Sequence, residues 1–246
     1  MMNKKLILQL LLLLTTLIFM GCSPEAPDNS ADLEAIAALE TKVAEQMTEI
    51  ESIELAKTAA ELEITTLKLE LESLESSASV STSLLGAALD VAQSLADQDM
   101  TTFSSYVHPT LGVRFTPYGY VNPSVDLSYP STAFAALITD PTNYTWGAFD
   151  GSGDPIIYTF ADYLDNFVYD EDYVTPHLVG VNNFIGTGNS INNITTLYPT
   201  ASFVEFHFTG FDPQYGGMDW TSLILVFENV AGDWKIVGVV HNQWTI

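Results

Sequence analysis

The sequence predicts an α+β protein: a long N-terminal coiled-coil helix, then a domain in which helices come first and strands last. Three observations predict it. Residues 31–78 hold no glycine, proline or aromatic residue, and their apolar positions recur every seven. Residues 159–170 carry an amphipathic helix pattern. From residue 201 onward the chain either alternates apolar with polar or runs continuously apolar, as strands do.

The heptad keeps one register. Its a positions are Ile36, Val43, Ile50, Lys57, Ile64, Leu71 and Ala78, and its d positions are Leu39, Gln46, Ile53, Ala60, Leu67 and Leu74. β-Branched residues at a with leucine at d favour a parallel homodimer, with a trimer left open. Gln46, Lys57 and Ala60 weaken the middle and suit a register-fixing role. Across a parallel pair Glu63 attracts Lys68, whereas Glu49 repels Glu54. Such a helix would be about 70 Å long at ~1.5 Å per residue. A lone charged helix, or one folded back on the domain, is the alternative. SASVSTS, 77–83, is expected to break the pattern with small polar residues.

The domain, 82–246, is long enough to bury its own core. LLGAALDVAQSLADQD reads as a helix with Leu84, Ala88, Val91, Ala92 and Leu95 on one side. Asp99 suits the N-cap of a short helix carrying Phe103, Tyr106 and Val107. HPTLG ends it, VRFTPY reads as a strand, and STAFAALITD as another short helix. In TFADYLDNFVYD, Thr159 at N-cap with Asp162 three residues on approximates a capping box. ASFVEFHFTG places Val204, Phe206 and Phe208 on one face and Phe203, Glu205 and His207 on the other. DWTSLILVFENV and DWKIVGVVHNQWTI form a hairpin around NVAGD.

This element order, together with the terminal GDWKIVGVVHNQWTI, resembles the NTF2-like fold over most of 84–246. The resemblance implies a curved antiparallel sheet wrapped around helices as a cone. It also implies a pocket in the cone, which in some members holds a catalytic Asp, His or Tyr. HPTLGVRFTPYGYV, WGAFDGSGDPI and GMDWTSLILVFE look like a group of secreted bacterial lipoproteins, which implies a location and no reaction.

The N-terminus points the same way. Lys4 and Lys5 precede LILQLLLLLTTLIFM, which ends in Gly21-Cys22. That is the layout of a secretory signal peptide, so residues 1–21 should be absent from the mature protein. A membrane-spanning anchor is the alternative, but Gln9, Thr15 and Thr16 interrupt the run. Gly21 and Cys22 resemble the bacterial lipobox, while Phe19 stands where an aliphatic residue is usual and Met20 is tolerable. The resemblance implies lipidation of Cys22 by a diacylglycerol thioether and an acylated amino terminus. Cys22 is the only cysteine in the chain, so no internal disulfide competes for it. Multiple acyl chains anchor stably where one does not. Ser23, rather than aspartate, resembles outer-membrane sorting in a two-membrane envelope. Residues 22–30 then form a lipidated tether with two prolines.

Seven Lys and Arg against 31 Asp and Glu give a net charge of −24. Losing Lys4, Lys5 and no acid takes this to −26 (−24 less 2). Such a chain repels nucleic acid and anionic headgroups. The expected partners are therefore a lipid bilayer and further copies of the chain, and no cofactor motif occurs: HExxH, CxxC, Walker and dinucleotide glycine patterns are all missing.

Four residues are candidates should the domain be an enzyme: Arg114, Glu205, His207 and Asp219. Arg114, the only arginine, suits a bidentate grip on a ligand carboxylate. Alternatively it pairs with an acid of its own chain, with Glu205 and Asp219 as the partners. Glu205 and His207 share a strand face and suit an acid–base pair, or else a half-buried polar pair at the mouth of the cone. In DGSGDP, Asp150, Ser152 and Asp154 set oxygens at alternate positions, as a Ca²⁺ loop does, with Asp170, Glu171 and Asp172 as further ligands. A turn of solvated acids is the other reading. Trp146, Trp220, Trp234 and Trp244 suit either core packing or a carbohydrate- or lipid-like pocket. Two functions result: a non-enzymatic envelope lipoprotein with a ligand- or partner-binding head, and an NTF2-like enzyme on the same stalk. A Ca²⁺-stabilised adhesive head is a third. A cone packed solid with aromatics favours the first, and an open pocket where Arg114 meets a carboxylate or His207 favours the second.

Overall fold

The computed structural model describes residues 30–189 and 191–245. The predicted signal peptide, Cys22 and the tether as far as residue 29 lie outside them. The described residues divide into two units between Leu71 and Glu72.

The first unit is helix. α1 is Ser30–Ala96, 67 residues without interruption. Strong helix formers without Gly or Pro sustain it, and its threonines bond back to the preceding turn, as Thr41 does to Ala37 and Thr65 to Glu61. The heptad side chains Leu39, Ile50, Ile53, Ile64, Leu67 and Leu71 are exposed. So is a second row, Leu55, Leu62 and Leu69. No helix among the described residues is long and apolar enough to cross a membrane.

The expected break at 77–83 does not occur. Thr82 Oγ1 donates to Ala78 O and Ser83 Oγ to Val80 O, so these side chains bond into the helix rather than competing with it. The second unit opens on the same helix, which buries Leu84, Ala88, Val91, Ala92 and Leu95. Asp99 then caps α2, Met100–Tyr106, by accepting from the amides of Thr101 and Thr102.

The sheet has six strands: β1 Val113–Thr116, β2 Ser128–Tyr129, β5 Leu178–Val181, β6 Ser202–Phe208, β7 Thr221–Val230 and β8 Asp233–Gln243. Their order is β2-β1-β8-β7-β6-β5. The sheet is mixed, where an antiparallel one was expected, because β1 runs parallel to β8. No tight turn joins these two strands, so nothing imposes the antiparallel sense that a hairpin would. The β7–β8 hairpin turns at Ala231 and Gly232, both with positive φ. A separate hairpin, β3 Tyr144–Ala148 and β4 Pro155–Tyr158, was not legible as strands. DGSGDP is its turn.

Short helices cover one face: α3, Phe134–Leu137, and α4, Phe160–Tyr163, which loosens into a π turn over Leu164–Val168. Thr159 caps α4 by accepting from the amide of Asp162. Phe115 stands at the centre of this layer, with Phe103, Phe134, Trp146, Phe160 and Tyr163 all within 6.4 Å between ring centroids. Trp146 stacks on Tyr163 at 4.0 Å. Aromatic rings therefore fill the helix-bearing face. The opposite face carries a second, smaller core of Val121, Ile194, Phe203, Ile224, Val226, Val237 and Val240. It lies beneath Phe184 and α5, Ile194–Leu197.

Candidate functional site

Strand alternation sets three polar side chains into the second face. Glu205 and His207 leave β6 on the side of Phe203, and Ser222 leaves β7 opposite His207. All three are buried. Ser222 Oγ lies 2.7 Å from Glu205 Oε1 and 2.8 Å from His207 Nδ1. Glu205 also accepts the amides of Ile185 at 2.7 Å and Gly186 at 2.8 Å.

The two backbone partners of Glu205 can only donate, which favours the carboxylate form. Burial pushes its pKa up, and the hydrogen bonds from Ile185, Ser222 and Gly186 pull it back. The Ser222 hydroxyl donates to the carboxylate, so His207 Nδ1–H must donate to the hydroxyl. Nε2 is then the basic nitrogen of the ring. Burial holds the imidazole below its ordinary value, and His177 lowers it further.

His207 lines a cavity of about 270 Å³ at the ends of β6, β7 and β8. The loop after β5 supplies Ile185, Gly186 and Thr187, the β6–β7 loop supplies Gly216, Gly217 and Met218, and Thr209, Trp220 and Trp244 complete it. Trp220 leans on His207 with ring centroids 5.6 Å apart. The loop after β5 reaches the indole only because residue 186 is glycine: a Cβ there would sit 2.5 Å from Trp220 Cζ3. Trp220 is 6% exposed, and its Nε1 has no hydrogen-bond partner. A buried unpaired donor costs about 1–3 kcal/mol.

Of the four catalytic candidates, only Glu205 and His207 come together, with His207 Nδ1 and Glu205 Oε1 3.7 Å apart. Arg114 meets neither expected acid. Its strand is separated from β6 by β8 and β7, and its Nη1 donates to the backbone carbonyls of Asp126 at 2.8 Å and Pro123 at 3.4 Å. Asp219 sits in the β6–β7 loop and accepts the amides of Phe211 and Asp212, which hold its pKa down. Its Oδ1 is buried without a partner and lines an adjoining depression of about 180 Å³.

Asp150, Ser152 and Asp154 lie in the β3–β4 turn, where Ser152 Oγ accepts the amide of Asp154. Among the described residues, no three His, Cys, Asp or Glu side chains gather as a metal site.

The helix-bearing face holds a second polar cluster. His241 Nδ1 lies 3.0 Å from the Pro117 carbonyl, which can only accept, so that nitrogen carries a proton. Nε2 faces Asp170 Oδ2 at 3.2 Å and Thr221 Oγ1 at 3.1 Å, and Tyr173 OH donates to Asp170 at 2.9 Å. Burial raises the Asp170 pKa, but His241 and Tyr173 outweigh it and leave the carboxyl below its ordinary value. Ser222 and Thr221 were missed from sequence, and Asp170 was named there only as a further Ca²⁺ ligand. The signal for Ser222 is its parity: in TSLILV it shares a face with Ile224, but only the β6–β7 register puts it beside Glu205.

Comparison with protein-family models, with curated proteins and with solved structures finds no match to this chain.

Proposed function

We propose that the chain is a lipid-anchored envelope protein whose α+β head binds a small ligand in the Trp220–Trp244 cavity, without catalysis. Acylated Cys22 holds it to the bilayer, the outer one in a two-membrane envelope. The heptad of α1 joins copies as a parallel coiled coil, and the head is a divergent NTF2-like cone. The lipobox-like Gly21-Cys22 supports the anchor. The exposed row of Leu39, Ile50, Ile53, Ile64 and Leu67 supports the coiled coil. α1 to α4 gathered on one face of a curved mixed sheet support the cone. Its helix-bearing face is packed with aromatic rings, which favours binding over catalysis there.

One observation carries the binding reading. The cavity is lined in part by Trp220, whose buried indole N–H has nothing to bond to, and such groups in native structures call for an explanation. The anchor is tested by fractionating cells that express the wild type and Cys22→Ala. The wild type is expected in the membrane fraction with an acylated N-terminal peptide by mass spectrometry, and the variant in the aqueous fraction. An unmodified thiol, or equal partitioning of the two, ends the proposal of anchoring.

The Glu205–Ser222–His207 chain favours a second reading: an enzyme acting on a small molecule, with His207 Nε2 as general base. It predicts turnover that falls as pH drops through the lowered His207 pKa and that is lost in His207→Asn. Binding without turnover rejects it.

A further inference from the structure

We infer that the cavity takes an uncharged polyhydroxylated ring, a single sugar unit; this rests on the head being a binding module. Charge removes the alternatives first. Arg114 and Lys235 are the only Lys or Arg residues after Lys68. Neither lines the cavity: Arg114 is bound to the Asp126 carbonyl and Lys235 Nζ to the Ser105 carbonyl. A carboxylate or phosphate would enter an acidic head with no cation to meet it. The lining holds no carboxylate either. Glu205 stands behind it with three donors already in place, so an ammonium ion lacks a counter-charge within the lining.

What remains on the wall is uncharged and mixed in sense. The lining residues bring an imidazole from His207, an indole N–H without a partner from Trp220, and the hydroxyls of Thr187 and of Thr209, the latter 3.2 Å from His177 Nδ1. A hydroxyl is the ligand group that satisfies all of these, because it also donates and accepts. Two indoles complete the wall, and their broad apolar faces suit the C–H surface of a sugar ring. Trp244 lines the cavity and is 36% exposed, so part of it is open to contact. At about 270 Å³ the cavity is small beside the ~300–1,000 Å³ of drug-sized sites, which fits one ring rather than a chain. The source is either a free monosaccharide or the end of a glycan.

The test is calorimetric titration of the full-length protein in detergent. The probes are glucose, N-acetylglucosamine and galactose, their soluble β-linked tetramers, glucuronate as the anion, and tetramethylammonium as the cation. At least one neutral sugar is expected to bind, with Trp220→Phe and Trp244→Ala each weakening it about tenfold or more, the effect of one lost hydrogen bond or stacking contact. Trp220→Phe keeps a ring and removes the N–H, and Trp244 is already 36% exposed, so the melting temperatures of both variants should stay near wild type. A monosaccharide that binds as tightly as its tetramer identifies free sugar as the source. A tetramer that binds where the monomer does not identifies a glycan end. Tetramethylammonium binding without sugar binding, drawn to the unpartnered Asp219 Oδ1, overturns the sugar assignment and leaves a binding head standing. Sugar binding unchanged in both variants overturns the site. Silence from every probe overturns the sugar assignment and the binding reading together. Fractionation of Cys22→Ala reports on the anchor whichever of these is seen.

Discussion

Ser222 joins two groups that would otherwise face each other at 3.7 Å, and this makes it the most consequential side chain at the cavity. Ser222→Ala takes one donor from the buried carboxylate and the acceptor from His207 Nδ1–H. The variant is expected to lose about 1–3 kcal/mol in urea denaturation, with an unchanged slope. The cluster also sets a pH dependence. The fold holds the His207 pKa below its unfolded value of about 6.5, so it favours the neutral ring. That contribution is present above the unfolded value and is lost as pH falls through the folded one. Glu205, whose folded pKa is raised, has the opposite sign: its contribution is present below about 4.3 and is lost as pH rises through the folded value. The difference in stability between wild type and His207→Asn isolates the first effect. It should shrink between about pH 7 and pH 5, and a constant difference across that range would show that the ring's titration is not coupled to folding. Glu205 and His207 were legible as neighbours because period-two alternation puts residues i and i+2 on one face. Trp220 and Trp244 were named only among four tryptophans that suit core or a pocket, and Ser222 was not legible at all. Strand register and loop path bring them together, and local pattern carries neither.

At the scale of elements, the loop after β5 and the helix α1 carry separate predictions. Gly186 lets the loop backbone lie against Trp220, and a methyl group there would also stand 3.0 Å from Glu205 Oε1. Gly186→Ala should therefore lower the melting temperature and weaken any ligand, as read by thermal unfolding and titration. A substitution without effect would mean that the loop does not form the wall. For α1, residues 31–246 should sediment at micromolar concentration as a dimer or larger, and Ile64→Asp should shift them toward monomer. A wild-type monomer rejects the coiled coil. The second exposed row, Leu55, Leu62 and Leu69, refines this. If only the heptad seam is used, Leu62→Ser leaves the mass unchanged; if a second seam is used, it lowers the mass. The helices α1 to α4, the strands β1 and β6 and the β7–β8 hairpin were readable, with Asp99 and Thr159 supplying the caps. α5 and β2, β3, β4 and β5 were not, because elements of two to five residues seldom display a period. The 77–83 segment misled because small polar residues resemble a linker until their hydroxyls find the preceding turn.

Over the whole molecule, the aromatic layer is what makes an acidic head stable. Like charges on a chain of net −24 repel, and the compensation comes from apolar burial on the helix-bearing face. Phe115→Ala removes the ring on which six others converge, and should cost about 3–5 kcal/mol in chemical denaturation. A much smaller loss would mean that the layer closes over the gap. The parallel pairing of β1 with β8 has an effect on timing. Arg114 registers with Gly238, so one edge of β1 stays unpaired until a strand 124 residues further along (238 less 114) has been made. A nascent chain spends that interval with its sheet unfinished, the state in which chaperones would meet it.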